Sequence, residues 1–338
     1  MKFFGVCLKG LFLAAVVAFM WRIEVRLRHV YDEYKYRMYN HHNEYLKATD
    51  LNNVLDIRQC PKARGKLRKL QIADTLLLRI FHNICEKHKI PYALEGGTLI
   101  GAMRHNGFIP WDDDLDVCVL WDDYEKLVDV LTEEFKGTNL ELIGFDKTRY
   151  DDDTLRITHK KCGTLNLDVF WLLQTKCGLE SKEKMKELWK KHRAKYYEDF
   201  SHINSQENAQ VLREFKRNFI DELSKDVDTY ASGKGGLFHQ VAPSFCFMGK
   251  DDFFPLQKHE FEGYEFWIPN NPDRMLTDFY GDWMSFPSTL WRHGFDKFDE
   301  QEMDKVITEL EELLKNKFKA VNNEKKREVK QILEKHKV

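Results

Sequence analysis

Four carboxylates crowd into five positions within Ile109-Pro110-Trp111-Asp112-Asp113-Asp114-Leu115-Asp116-Val117. Asp114 and Asp116 stand two apart, and in an extended strand that spacing puts both side chains on one face, roughly 7 Å apart at their Cα atoms. Two carboxylates converging in this way suit one or two hard cations, Mg²⁺ or Mn²⁺. Asp113 points the other way. Asp112 shares the face but lies where the strand begins, so both rank below the central pair. A charge run is ordinarily a solvated loop. The flanks oppose that reading, because IPW before and VCVL after belong to a core, and a carboxylate entering a core needs a cation or hydrogen bonds.

Two further elements have chemical potential. Glu95-Gly96-Gly97-Thr98-Leu99-Ile100-Gly101 reads as a glycine turn between a strand and a helix. Glycine lets backbone approach a phosphate, and a helix N-terminus presents N–H groups and a favourable dipole. Adjacent glycines are nevertheless more often a plain tight turn, and this pattern is neither a P-loop nor a dinucleotide fingerprint. Asp168 is a single acid within LNLDVFW. On a buried strand it reads equally as a hydrogen-bonded core residue and as a member of a site.

The elements that must position these groups follow from periodicity. Apolar residues from Leu67 to Ile84 recur at helical spacing, predicting a long amphipathic helix that opens the folded body. Tyr92 to Leu94 is a short strand, the glycines follow, and Thr98 to Arg104 has helical composition. Leu115 to Leu120 is a β-branched strand, and Tyr124, Leu127, Val128 and Leu131 mark the next helix. Leu155 to Thr158 and Leu165 to Leu172 predict a strand pair, helices dominate 181–225, and short aromatic strands return over 245–268. The stretch NNPDRMLTDFYGDWMSFP reads as turn-rich. Its Tyr280, Gly281, Trp283 and Pro287 form an aromatic cluster of the kind that is more often core than substrate platform. The last forty residues predict an exposed amphipathic helix or short coiled coil.

Composition narrows the function classes. The 338 residues contain 43% hydrophobic and 32% charged side chains, which excludes a wholly disordered chain. Lys plus Arg is 53 against 55 Asp plus Glu, so the global balance gives no reason to expect a nucleic-acid partner. Seven Cys without a CxxC pair argue against a zinc ribbon and against a disulfide-dense scaffold. Phe3 to Trp21 is apolar apart from Lys9 and predicts a signal anchor, with a cleavable signal or a buried helix as alternatives. Lys2 and Lys9 precede the run and Arg22, Arg26 and Arg28 follow it, so charge alone slightly prefers a cytosolic body. No N-x-[ST] sequon supports a lumenal one.

A glycine turn with its helix, an acidic pair on the next strand and a lone acid on a later strand match the pattern of the nucleotidyltransferase fold. GGTLIGAMRHNGFIPWDDDLDV, residues 96–117, closely resembles the signature of the LicD family, which includes bacterial phosphocholine transferases, fukutin and fukutin-related proteins. FEGYEFWIPNNPDRMLTDFYGDWMSFP, residues 261–287, resembles the family's downstream block.

The resemblance implies an α+β domain with a mixed sheet and flanking helices. It implies a metal-dependent transferase that moves a phospho-alcohol group (phosphocholine, ribitol phosphate or glycerol phosphate) from a CDP-linked donor to a hydroxyl of a glycan or glycoprotein, releasing CMP. Asp114 and Asp116 match the family's metal pair and Asp168 its third acid, with two ions expected. Gly96, Gly97 and Thr98 are expected to hold the donor phosphates, and Arg104 and His105 match an RH pair that contacts phosphate or nucleotide. Trp291, Arg292 and His293 form a basic group that suits an anionic donor. The cysteine-based zinc element of the fukutin-related members has no counterpart here.

The organisation expected is a membrane segment over 1–21, a stem over 22–60, a catalytic domain over 61–298 and a C-terminal helical extension over 299–338. By the same resemblance the chain is a single-pass membrane protein of the secretory pathway, in the Golgi, with a lumenal body. Two rival readings remain: a glycosyltransferase whose DxD binds Mn²⁺, and a non-catalytic membrane-anchored scaffold of the same fold.

Overall fold

The computed structural model describes residues 56–143, 155–201, 209–228, 236–239, 246–287 and 298–319. The expected anchor over 1–21, most of the stem and the Trp291-Arg292-His293 group lie outside the described residues. Among the described residues no helix is long and apolar enough to cross a membrane.

The body opens with α1 (Gly65–His88), whose apolar stripe of Leu67, Leu70, Leu77, Ile80, Phe81 and Ile84 is buried. There follow β1 (Tyr92–Leu94), α2 (Gly96–His105), β2 (Leu115–Leu120), α3 (Trp121–Glu134), β3 (Leu140–Ile143), β4 (Leu155–His159) and β5 (Cys162–Thr175). Next come α4 (Lys182–Ser201), α5 (Ala209–Asp228), β6 (Gly236–His239), β7 (Cys246–Gly249) and the short α6 (Lys250–Phe253). The hairpin β8 (Gln257–Phe261) and β9 (Tyr264–Ile268) precedes α7 (Pro272–Tyr280) and α8 (Glu300–Asn316).

The main sheet is mixed, as expected, and has seven strands among the described residues. Its path runs β1-β2-β5-β4-β3. β2 and β5 are parallel, while β1–β2, β3–β4 and β4–β5 are antiparallel. The long β5 is shared. Its first half pairs with β4 and its last residues, Leu172 to Thr175, pair with β6, which carries β7. Central β2 and β5 are buried along almost their whole length, so each polar residue in them is conspicuous.

Two expectations are corrected. The turn-rich stretch after residue 270 contains α7, because Asn271 caps its first turn by accepting from the Arg274 N–H at 3.2 Å and Pro272 supplies a helical φ without requiring a donor. The C-terminal helix is amphipathic, as expected, but its apolar stripe is packed on the body and does not stand apart from it. Met303, Val306, Leu310 and Leu314 of α8 are buried in the same core as α1, and Asn83 of α1 donates to the Phe318 carbonyl at 2.8 Å.

Candidate active site

Asp112, Asp113 and Asp114 lie just before β2, and Asp116 is its second residue. Burial alternates along them. Asp113 has no exposed surface, whereas Asp112, Asp114 and Asp116 are each partly exposed, so these three present carboxylates to one common face. Asp112 therefore belongs with the pair that spacing had singled out. Burial, then the charge of Asp114, pushes the Asp116 carboxyl well above the usual carboxylate range, with Asp168 adding to the effect. The same two influences act on Asp112. Mutual repulsion of this kind is what a bound cation relieves.

The glycines serve this face directly. The helix begins at Gly96 itself, at φ +52°, and a Cβ there would stand 2.5 Å from Asp116 Oδ2. One at Gly97 would stand 2.7 Å from Asp112 Oδ2. The N-terminal end of α2 thus rests on the carboxylates, where its dipole favours negative charge. Thr98 completes the contact: its Oγ1 accepts from the Asp116 backbone N–H at 2.8 Å. Gly96, Gly97 and Thr98 are accordingly brought together with the acids.

Asp168 joins them through strand register. It lies directly opposite Asp116 in the parallel β2–β5 pair, about one strand spacing away at roughly 4.8 Å. On its other side it faces Arg156 of β4. Arg156 Nη2 donates to Asp168 Oδ2 at 2.6 Å and its Nε to Oδ1, a two-point grip that fixes the carboxylate's orientation.

Arg104 and His105 lie at the opposite end of α2. Arg104 is buried and its Nη1 donates to the Trp283 carbonyl at 2.9 Å, tying the helix to the segment after α7. Burial lowers its pKa to about 10. His105 falls to about 4, again mainly through burial, with Arg104 contributing, so its ring is neutral at pH 7.

The segment held by Arg104 is divided: Trp283 packs half-buried against the core, while its neighbours are exposed. Tyr280 is 51% exposed, and Met284 and Phe286 are exposed beside it in sequence. Burial, followed by the charges of Asp116, Glu95, Asp112 and Asp114, pushes the Tyr280 phenol pKa up, so the phenol is neutral and lies within the field of the acids.

Sequence reasoning missed Asp74. It occupies the apolar stripe of α1, at helical spacing from Leu70 and Leu77, and has no exposed surface. An acid on such a stripe is itself the signal that could have found it. One turn earlier Gln71 Nε2 donates to the Asp112 carbonyl at 2.9 Å, which fixes this face of α1 against the acidic loop. Arg156 was missed because only the β4–β5 register reveals its partner.

The acids offer oxygen ligands alone, which suits a hard divalent cation, and Asp116 and Asp168 stand opposite each other in the β2–β5 register. Oxygen ligands of Asp112, Asp113 and Asp114 also lie within 4.8 Å of one another.

A family model described as "LicD/FKTN/FKRP, nucleotidyltransferase domain" matches residues 89–207. The lipopolysaccharide cholinephosphotransferase LicD of Haemophilus influenzae is 31% identical over 247 residues, covering 65% of this chain and 92% of that protein. The ribitol 5-phosphate transferase FKRP of Homo sapiens is 29% identical over 111 residues, 32% of this chain and 21% of that one. An uncharacterised protein of Rickettsia typhi is 25% identical over 223 residues, 65% of this chain and 49% of its own length.

Proposed function

The chain belongs to the LicD/FKTN/FKRP nucleotidyltransferase family, and from that premise we propose that it transfers a phospho-alcohol group from a CDP-linked donor to a glycan or glycoprotein hydroxyl, releasing CMP. The observation that carries the reading is the row Asp116–Asp168–Arg156 across three adjacent strands, with the first turn of α2 pressed against Asp116. Names of two relatives, a cholinephosphotransferase and a ribitol 5-phosphate transferase, support the class of group moved.

Asp114, Asp116 and Asp168 would hold Mg²⁺ or Mn²⁺, whose chemistry when bound is to neutralise the donor phosphates and acidify the acceptor hydroxyl. Arg156 keeps Asp168 aimed at that face. Gly96 and Gly97 let the first turn of α2 come up against the Asp116 and Asp112 carboxylates, and the first-turn N–H groups of α2 lack intrahelical partners and favour phosphate. Arg104 ties the segment around Trp283 to α2, and the Tyr280 phenol supplies a hydrogen-bond donor to a phosphate or acceptor oxygen. Thr98 sets the position of Asp116. His105 is neutral, so its contribution to donor binding is a neutral hydrogen bond.

The test is to incubate the chain with CDP-choline, CDP-ribitol and CDP-glycerol in Mn²⁺ and measure CMP. Release of CMP supports the reading. A nucleoside diphosphate released from sugar nucleotides instead favours a glycosyltransferase, and no thermal shift with any donor favours a non-catalytic scaffold.

We further propose that residues 3–21 anchor the body in a Golgi membrane with the site in the lumen. Protection of the C-terminal region from protease in intact vesicles is the expected result; digestion from the cytosolic side contradicts it.

A further inference from the structure

The β8–β9 hairpin turns through two residues, Glu262 and Gly263, at φ +50° and +81°. Two-residue turns with left-handed backbone favour Asn, Asp or Gly at the first position, where a Glu side chain offers no local compensation. Glu262 therefore has its reason outside the turn. Its side chain is almost fully buried, and its carboxylate accepts from Lys62 Nζ at 2.9 Å, from Arg68 Nη2 at 2.7 Å and Nη1 at 3.1 Å, and from the Phe108 N–H at 3.3 Å. Its own N–H donates to the Asn106 carbonyl at 2.8 Å. The turn is thus seated on the segment that leads from α2 into the acidic loop. Two glycines make room for it: a Cβ at Gly107 would collide with the Glu262 carboxylate, and one at Gly101 with the Gly107 carbonyl. A second line of bonds reaches the other end of the loop. Arg68 Nη1 also donates to Gln71 Oε1 at 3.3 Å, and Gln71 Nε2 donates to the Asp112 carbonyl at 2.9 Å.

We propose that Glu262 is a positioning residue for the acidic face, some 150 positions away in the chain. It fixes the loop at Phe108 directly and at Asp112 through Arg68 and Gln71, so that Asp112 and Asp114 are held in place relative to Asp116 before a cation arrives. Glu262 acts through the backbone of the loop and not on its carboxylates. The inference rests on reading that face as cation-binding, but it is independent of which donor or acceptor is used.

The test is a Mn²⁺ titration of the metal-stripped full-length chain without nucleotide, with free Mn²⁺ read by electron paramagnetic resonance well below the melting temperature. Glu262→Asn suits the left-handed turn but withdraws the side chain by one methylene and removes its charge. It should weaken Mn²⁺ binding about tenfold, the low end of the range for groups that orient a metal ligand. Glu262→Gln keeps an acceptor for Arg68 and the Phe108 N–H and should lie closer to the parent. Gln71→Met cuts only the second line and should also weaken binding, and the double variant should lose less than the product of the two single losses because the line is shared. Should Glu262→Asn fail to fold, Gln71→Met decides alone. Parental Mn²⁺ affinity in the folded variants overturns the positioning role, even where the melting temperature falls, and leaves the cation-binding reading standing. No Mn²⁺ bound by the parent overturns both.

Discussion

Arg156 holds both carboxylate oxygens of Asp168, from the strand next to it and in direct register. The acid that completes the site is thus oriented by its neighbour rather than by substrate. Replacing Arg156 with Ala should lower kcat by about 10- to 100-fold, the usual range for removing a group that orients a metal ligand, with Arg156→Lys intermediate because it restores charge without the fork. Steady-state kinetics with a CDP-alcohol, alongside a circular dichroism check of folding, measure this. Unchanged kcat in a folded Arg156→Ala protein contradicts the positioning role.

Gly96→Ala combines strain at φ +52° with a Cβ placed 2.5 Å from Asp116 Oδ2. It should destabilise the fold by about 1–3 kcal/mol and displace the carboxylate. Gly97→Ala carries only the close approach, at 2.7 Å from Asp112 Oδ2. The denaturation midpoint should therefore drop more for Gly96→Ala, while both lose activity. Equal stability of the two variants sinks the conformational part of the argument.

Tyr280→Phe removes the phenolic donor and leaves the half-exposed ring. A fall in kcat of about tenfold, the worth of one hydrogen bond, is expected with little change in melting temperature. A large loss of stability with normal kinetics instead makes Tyr280 a packing residue.

His105 predicts a pH dependence of stability. Its folded pKa is about 4, below the ordinary value of 6.5, so the unfolded chain binds the proton more readily. Its influence is absent above 6.5 and destabilises the fold progressively as pH falls from 6.5 through 4. Equilibrium unfolding across that window should show a shallower slope for His105→Gln. An identical slope in both proteins refutes the assignment.

Much of this was legible in the chain. α1, β2 and α3 announce themselves through regular apolar spacing, and Asp114, Asp116 and Asp168 stand out because acids rarely interrupt such strands. Short β3 and β6 escaped notice, since four residues hold too little periodicity to register. α7 was hidden by its own start signal, because Asn271 and Pro272 look alike as a turn and as a helix cap. One partner of Arg104 was not readable at all: its type suggests phosphate, and tertiary packing also ties its Nη1 to the Trp283 carbonyl, 179 positions away in the chain.

The most direct test of the central claim is CMP release by Asp114→Asn and Asp116→Asn. Each removes an anionic ligand while relieving repulsion within a crowded acidic face, so both proteins should fold at least as stably without metal as the parent. Their kcat should fall at least about 100-fold, and EDTA should abolish the activity of the parent. Asp113→Asn, which points inward, should be milder. Near-parental CMP release by folded Asp114→Asn and Asp116→Asn proteins, or parental activity that survives EDTA, would place the chemistry elsewhere in the molecule.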